Sequence, residues 1–228
     1  MVPDAGWRIS RFWLRILHFF FLIRLDVTFL DENIPEKGFI LAGNHFSNLD
    51  PPLLYSAFPY PLSFISKFEL LRLPFFGRVF KDLGMIPVNR QSFGPSTVRE
   101  ASERIKNRNI AIFPEGTRST TGEILEGKPG FGYFVDKLSA GVIPVYIGSS
   151  CILPKNRFLP NPATVKIIFG KLLTFEDISA KIGSRNPRER FMEITRIVMD
   201  EVRKLKELDP KSRQLHPDPE RRNETGTA

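Results

Sequence analysis

GFILAGNHFSNLDPPLL (residues 38–54) decides how this chain folds. Its first half is an apolar run too short for a helix, and it reads as a strand over 38–44 buried on both faces. Its second half turns polar and then meets Pro51 and Pro52, which open a short helix over 51–58. Working outward, LDVTFL (25–30) and PLSFIS (61–66) read as strands, and 68–82 as a helix with Pro74 and Gly77 breaking its middle. GMIPV (84–88), IAIFP (110–114), VIPVYI (142–147) and ATVKIIFG (163–170) are further strands, with helices over 95–107 and 129–139 between them. A long amphipathic helix over 187–207 carries Phe191, Ile194, Ile197, Val198, Val202 and Leu205 on its buried side. Short apolar strands alternating with helices predict an α/β fold: a mainly parallel sheet flanked by helices, with functional groups at the strand ends.

The chain has 228 residues, 42% of them hydrophobic and 25% charged, which suits one folded domain with tails. That domain is expected over 26–208, followed by a polar, disordered tail over 209–228. The net charge is +8, so the surface attracts anions. No Cys/His metal spacing, RNA-binding aromatic motif or helix-turn-helix signal accompanies the charge, so nucleic acid is not the expected partner. The single cysteine, Cys151, excludes an internal disulfide framework and a cysteine zinc cluster, and it fits a reducing compartment.

Residues 1–25 form a segment of their own. The uncharged run ILHFFFLI between Arg15 and Arg24 is far shorter than the ~18 apolar residues of a spanning helix. No small-residue cleavage site follows it, as a removable signal peptide would need. Arg8, Arg11, Arg15 and His18 fall on one narrow helical face, and nearly everything else from Trp7 to Ile23 is apolar. Such an amphipathic helix suits a bilayer interface, where arginines meet lipid phosphates; the other reading is a helix docked on the protein's own core.

Two constellations carry chemistry, and each follows a buried strand. In Asn44-His45-Phe46-Ser47-Asn48-Leu49-Asp50, His45 is the one histidine placed in the folded core. A base that takes a proton from an alcohol near neutral pH is a histidine's task, and a carboxylate on the other ring nitrogen fixes its tautomer. Positions five apart on a regular helix point about 140° from each other, so His45 and Asp50 can meet only across a turn. Asp50 precedes a proline, which keeps it from the helical region and permits that turn. Asp50 could equally be the N-cap of the following helix, and His45 a satisfied core histidine.

The second is Phe113-Pro114-Glu115-Gly116-Thr117-Arg118-Ser119. It gathers a carboxylate, a glycine that admits close backbone approach, a hydroxyl and a guanidinium able to hold phosphate bidentately. A turn with a solvated Glu–Arg pair is the plainer reading. Arg90, just past a short strand, either faces a sheet-edge cleft or lies on the surface. Val142 to Val145 read as core, and Cys151 as an inert thiol.

Taken in order, NHFSNLD (44–50), KFELLRLPFFGRVFKDLGMIPVNR (67–90), FPEGTRS (113–119) and VIPV (142–145) resemble the four blocks of the 1-acylglycerol-3-phosphate O-acyltransferase (lysophosphatidate acyltransferase, PlsC-like) family. Lys128 before Pro129 and Gly130 is similar to that family's lysine-glycine segment, with Pro129 an unusual insertion. The N-terminus departs from the pattern: one amphipathic stretch stands where a spanning segment or a two-helix anchor is often found.

The resemblance implies a glycerolipid acyltransferase-like fold and a reaction. His45, oriented by Asp50, would deprotonate the sn-2 hydroxyl of 1-acylglycerol 3-phosphate (lysophosphatidic acid) for attack on a coenzyme A or acyl carrier protein thioester. Lys67, Arg90 and Arg118 would hold the acceptor phosphate, while Glu115, Gly116 and Thr117 would shape the pocket. No metal and no bound cofactor are implied, and acyl-CoA or acyl-ACP enters as co-substrate. The expected partners are a membrane phospholipid surface, lysophosphatidic acid and the acyl carrier. The expected place is peripheral or monotopic on the cytoplasmic face of a bacterial cell membrane. Glycerol 3-phosphate, another lysophospholipid or a lyso-aminolipid are alternative acceptors. A noncatalytic anionic-lipid-binding protein is the rival from another class, and no nucleophile-elbow pattern supports a hydrolase.

Overall fold

A computed structural model of the chain describes residues 23–67, 85–88, 94–119, 121–148 and 163–210. The strands are β1 (Ile23–Phe29), β2 (Phe39–Gly43), β3 (Leu62–Lys67), β4 (Ile86–Val88), β5 (Asn109–Ile112), β6 (Gly141–Gly148) and β7 (Ala163–Phe169). The helices are α1 (Asp50–Ala57), α2 (Pro95–Ile105), α3 (Pro129–Leu138), α4 (Phe175–Ser179) and α5 (Pro187–Glu207). The strands form one seven-stranded sheet in the order β1-β7-β6-β2-β5-β3-β4.

The sheet is mixed. Five of its six pairings are parallel, as expected, but β6 and β7 run antiparallel. The outer pair β1–β7 therefore runs against the other five strands. An apolar strand looks the same in sequence whichever way it points, so this reversal had no signal.

β2 lies between β5 and β6 and is buried along its whole length. Its alternation explains why it reads as continuously apolar. Phe39 and Leu41 join Leu53, Leu54 and Phe58 of the α1 side, whereas Ile40 and Ala42 join Phe131, Phe134, Ile194 and Val198 of α3 and α5. Helices thus cover both faces, and each fully buried aliphatic or aromatic side chain contributes about 1.5–3 kcal/mol.

β6 carries a proline inside the sheet. The β6–β7 ladder runs from Val145 to Gly148 and stops short of Pro144, which has no N–H to offer. Gly170 then donates to the Pro144 carbonyl, and the pairing resumes as a bridge between Val142 and Leu173. α5 starts where Asn186 caps it through Arg188 and Glu189 N–H groups, with Pro187 at its first position. Its buried stripe holds Ile194, Val198, Val202 and Leu205 as expected, with Thr195 and Met199 added; Phe191 and Ile197 are half-buried.

Three boundaries differ from expectation. Residues 23–25, assigned by sequence to the N-terminal segment, open β1 and pair with Ala163–Val165. α4 was not anticipated; Thr174 and Asp177 close a capping box that starts it. Asp209, placed at the head of the tail, is buried and accepts from the Tyr146 hydroxyl at 3.4 Å. The amphipathic helix within 1–22, the helix over 68–82, Arg90, Cys151 and the tail from 211 lie outside the described residues. Among the described residues, no helix is long and apolar enough to cross a membrane.

Candidate active site

β2, β5 and β6 end at the same edge of the sheet, because all three are parallel. The NHFSNLD turn begins there. Asn44 follows β2, fully buried, and its side chain donates to the Ile147 carbonyl at 2.9 Å and accepts from the Ile147 N–H at 2.8 Å. A side-chain amide thus stands in for one more rung of the β2–β6 ladder and fastens the turn to β6.

The turn then brings His45 and Asp50 together. His45 Nδ1 lies 2.9 Å from Asp50 Oδ2, and that oxygen also accepts from the N–H groups of Phe46 (2.6 Å) and Ser47 (2.7 Å). Backbone N–H groups only donate, so this oxygen acts as an acceptor and Nδ1 is the donor facing it; in the neutral ring the lone pair is then on Nε2. Asp50 is fully buried and His45 is 18% exposed, so the base is reachable while its partner is not.

Contrary to expectation, Pro51 does not keep Asp50 out of the helix, nor is Asp50 its N-cap. It is the first residue of α1 rather than its cap; Leu49 holds the cap position without a side-chain bond. The carboxylate turns back over the HFS segment instead of forward onto the helix.

The FPEGTRS segment wraps this turn from β5. The Phe113 ring stacks on the imidazole, with centroids 4.3 Å apart and planes 19° from parallel. The His45 N–H donates to Glu115 Oε1 at 3.1 Å, and the His45 carbonyl accepts from the Ser119 N–H at 2.8 Å. Ring, N–H and carbonyl of His45 are each held by this one segment.

Glu115 is 1% exposed, and its Oε2 has no hydrogen-bond partner among the described residues. Burial pushes its carboxyl up to about 7, with the Asp50 charge adding to the rise; donors at His45 and Leu125 and the Arg203 charge oppose it. The family resemblance implies that Glu115 shapes the pocket; its carboxylate is buried against the His45 backbone N–H.

Gly116 has φ +63°, a left-handed conformation that a side chain makes costly, and its N–H closes the turn onto Phe113 O at 3.0 Å. Thr117 and Arg118 are exposed, and Arg118 makes no ion pair among the described residues. Lys67 ends β3, whose parallel pairing with β5 brings it to the same edge of the sheet. Asn44, Phe113 and Ser119 hold the site together, yet sequence reading gave them no role. Their signal was only their presence within the quoted blocks.

A reachable histidine with a buried carboxylate on its Nδ1, held by a segment that also carries an exposed arginine, can take a proton from a hydroxyl on an anionic molecule. The acyltransferase family model matches residues 26–148, just over half of the chain, and includes the whole of this site. The chain belongs to the acyltransferase family.

Within that family, it is 37% identical over 135 residues to a 1-acyl-sn-glycerol-3-phosphate acyltransferase of Borreliella burgdorferi, covering 57% of this chain and 52% of that protein. It thus spans about half the length of that relative. A protein of the same description from Bacillus subtilis is 30% identical over 188 residues, covering 81% of this chain and 88% of that one. The crystal structure of the 1-acyl-sn-glycerophosphate (LPA) acyltransferase PlsC of Thermotoga maritima is similar with a TM-score of 0.69 and 27% identity. That similarity covers 88% of this chain and 79% of the other.

Proposed function

We propose that this acyltransferase moves an acyl group from a coenzyme A or acyl carrier protein thioester to the sn-2 hydroxyl of 1-acylglycerol 3-phosphate, making phosphatidic acid for phospholipid synthesis. The observation that carries the reading is the His45–Asp50 contact at 2.9 Å, held by the segment that also carries the exposed Arg118. The family resemblance of the B. subtilis and T. maritima proteins supplies the acceptor.

His45 Nε2 takes the sn-2 hydroxyl proton as that oxygen attacks the thioester carbonyl carbon. The imidazolium is stabilised by Asp50, and backbone N–H groups at the FPEGTRS turn stabilise the oxyanion. Collapse breaks the C–S bond, and Nε2–H returns its proton to the leaving thiolate. The products are phosphatidic acid and a free thiol. The reaction as written calls on no metal and no bound cofactor. Arg118, with Lys67 and Arg90, holds the acceptor phosphate. The acceptor is a lipid, so the protein works at a membrane surface, and the arginine-striped stretch before β1 anchors it on the cytoplasmic face.

The test is acyl transfer in mixed micelles with 1-acylglycerol 3-phosphate and either donor. Wild type should form phosphatidic acid, and His45→Ala should lose at least about a thousandfold in rate. Wild type inactive with both donors overturns the acceptor assignment. Near-normal turnover by His45→Ala overturns the role of the histidine.

A further inference from the structure

Lys128 is a surface lysine with an unusually fixed backbone. Its N–H donates to the Pro114 carbonyl at 2.9 Å, and its carbonyl accepts from the Phe131 N–H at 3.1 Å and faces the Thr195 hydroxyl at 3.3 Å. Its φ and ψ of −88° and 148° lie in the extended region that the following Pro129 enforces. Gly127 before it packs so closely on Thr195, Met199 and Pro114 that no side chain fits there. These constraints fix where the lysine stem starts.

The stem runs over the FPEGTRS turn. A Cβ placed on Gly116 would lie 3.2 Å from Lys128 Cδ and 3.4 Å from its Nζ. The left-handed backbone is what asks for glycine at 116, and the lysine stem lies directly over it. The ammonium is exposed and makes no ion pair among the described residues. Nearby acids have other partners: Glu126 lies 3.7 Å from Arg203, and Glu123 2.9 Å from Lys206. A cation with no ion partner among the described residues, its Nζ lying over Gly116 two positions before Arg118, is placed to meet an anion at that turn.

We propose that Lys128, lying over Gly116 of the FPEGTRS turn, is a second clamp on the acceptor's phosphate beside Arg118 of the same turn. This rests on the acceptor reading above. A phosphate monoester carries up to two charges and three acceptor oxygens, so a planar guanidinium and a point-charge ammonium can bind it together. The lysine would thereby separate phosphorylated acceptors from neutral glycerides.

The experiment measures kcat and KM of the full chain in mixed micelles for wild type, Lys128→Met and Lys128→Arg. The acceptors are 1-acylglycerol 3-phosphate and 1-monoacylglycerol. Lys128→Met should raise the KM for the phosphorylated acceptor roughly ten- to a hundredfold, the loss of one charge-assisted contact. Donor KM and the residual rate on 1-monoacylglycerol should stay within about twofold, and Lys128→Arg should restore most of the affinity. A thermal melt like that of wild type shows that the exposed substitution leaves the fold intact. An unchanged acceptor KM overturns the clamp, as does a rise confined to the donor KM or an equal loss on both acceptors. If wild type itself does not use 1-acylglycerol 3-phosphate, the acceptor reading fails first and takes the clamp with it.

Discussion

The carboxylate of Glu115 accepts a hydrogen bond from the backbone N–H of His45 at 3.1 Å, across 70 residues of sequence. The contact ties the residue that would carry the proton to the segment that would carry the phosphate.

Removing the acceptor in Glu115→Ala should destabilise the protein by about 1–3 kcal/mol, since the His45 N–H then loses its partner and a cavity opens. Turnover should fall with it as His45 shifts. Glu115→Gln keeps a carbonyl oxygen for the same N–H and should stay within severalfold of wild type. Urea titrations and steady-state rates on the three proteins check this; Gln behaving like Ala would count against the clamp.

The same residue makes stability depend on pH. Its carboxyl rises from 4.5 to about 7 in the folded chain, so folded Glu115 holds its proton where the unfolded chain has lost it. The neutral form favours folding, and stability therefore declines as pH climbs from about 4.5 to about 7, then levels. The shift corresponds to at most about 3 kcal/mol. Denaturation midpoints across this range should converge with those of Glu115→Gln at low pH and fall below them near neutrality. Parallel curves would refute the shift.

Asn44→Ala strands both the N–H and the carbonyl of Ile147, which it now satisfies at 2.8 and 2.9 Å. Two buried orphans cost about 2–4 kcal/mol. Asn44→Asp should also be costly, because its second oxygen would face a carbonyl. An Asp variant as stable as wild type would show that the amide's donor half contributes nothing.

Asp50→Asn removes the negative charge behind the imidazole, and an amide turned with its NH2 toward the ring releases the Nδ1–H tautomer. Turnover should drop by roughly a hundred- to ten-thousandfold, chiefly in kcat. Acceptor KM should change little, since Asp50 is fully buried and cannot touch substrate. A KM effect without a kcat effect would mean that the carboxylate does not serve His45.

Much of this was legible in the chain itself. The apolar spacing of 187–207 placed α5 at its observed limits; Asn186, which caps it, and Pro187 are local signals that the reading did not use. The order His45, then Asp50 before a proline, pointed to a turn that joins them. What stayed hidden depends on partners distant in sequence. The reversed direction of β1 and β7, the inward carboxylate of Glu115 and the burial of Asp209 against Tyr146 are all decided by neighbours that local pattern does not name. α4, at 5 residues, has no periodicity to detect; only Thr174 and Asp177 mark it.

The two bonds between Asn44 and Ile147 span 103 residues of chain. The His45 turn therefore cannot be set until β6 has docked on β2, late in the order that loop-closure entropy imposes. During refolding, helical signal should recover before any turnover does. A nascent or partly unfolded chain would then hold His45 unaligned with Asp50, and no half-built form would carry out the proposed acyl transfer.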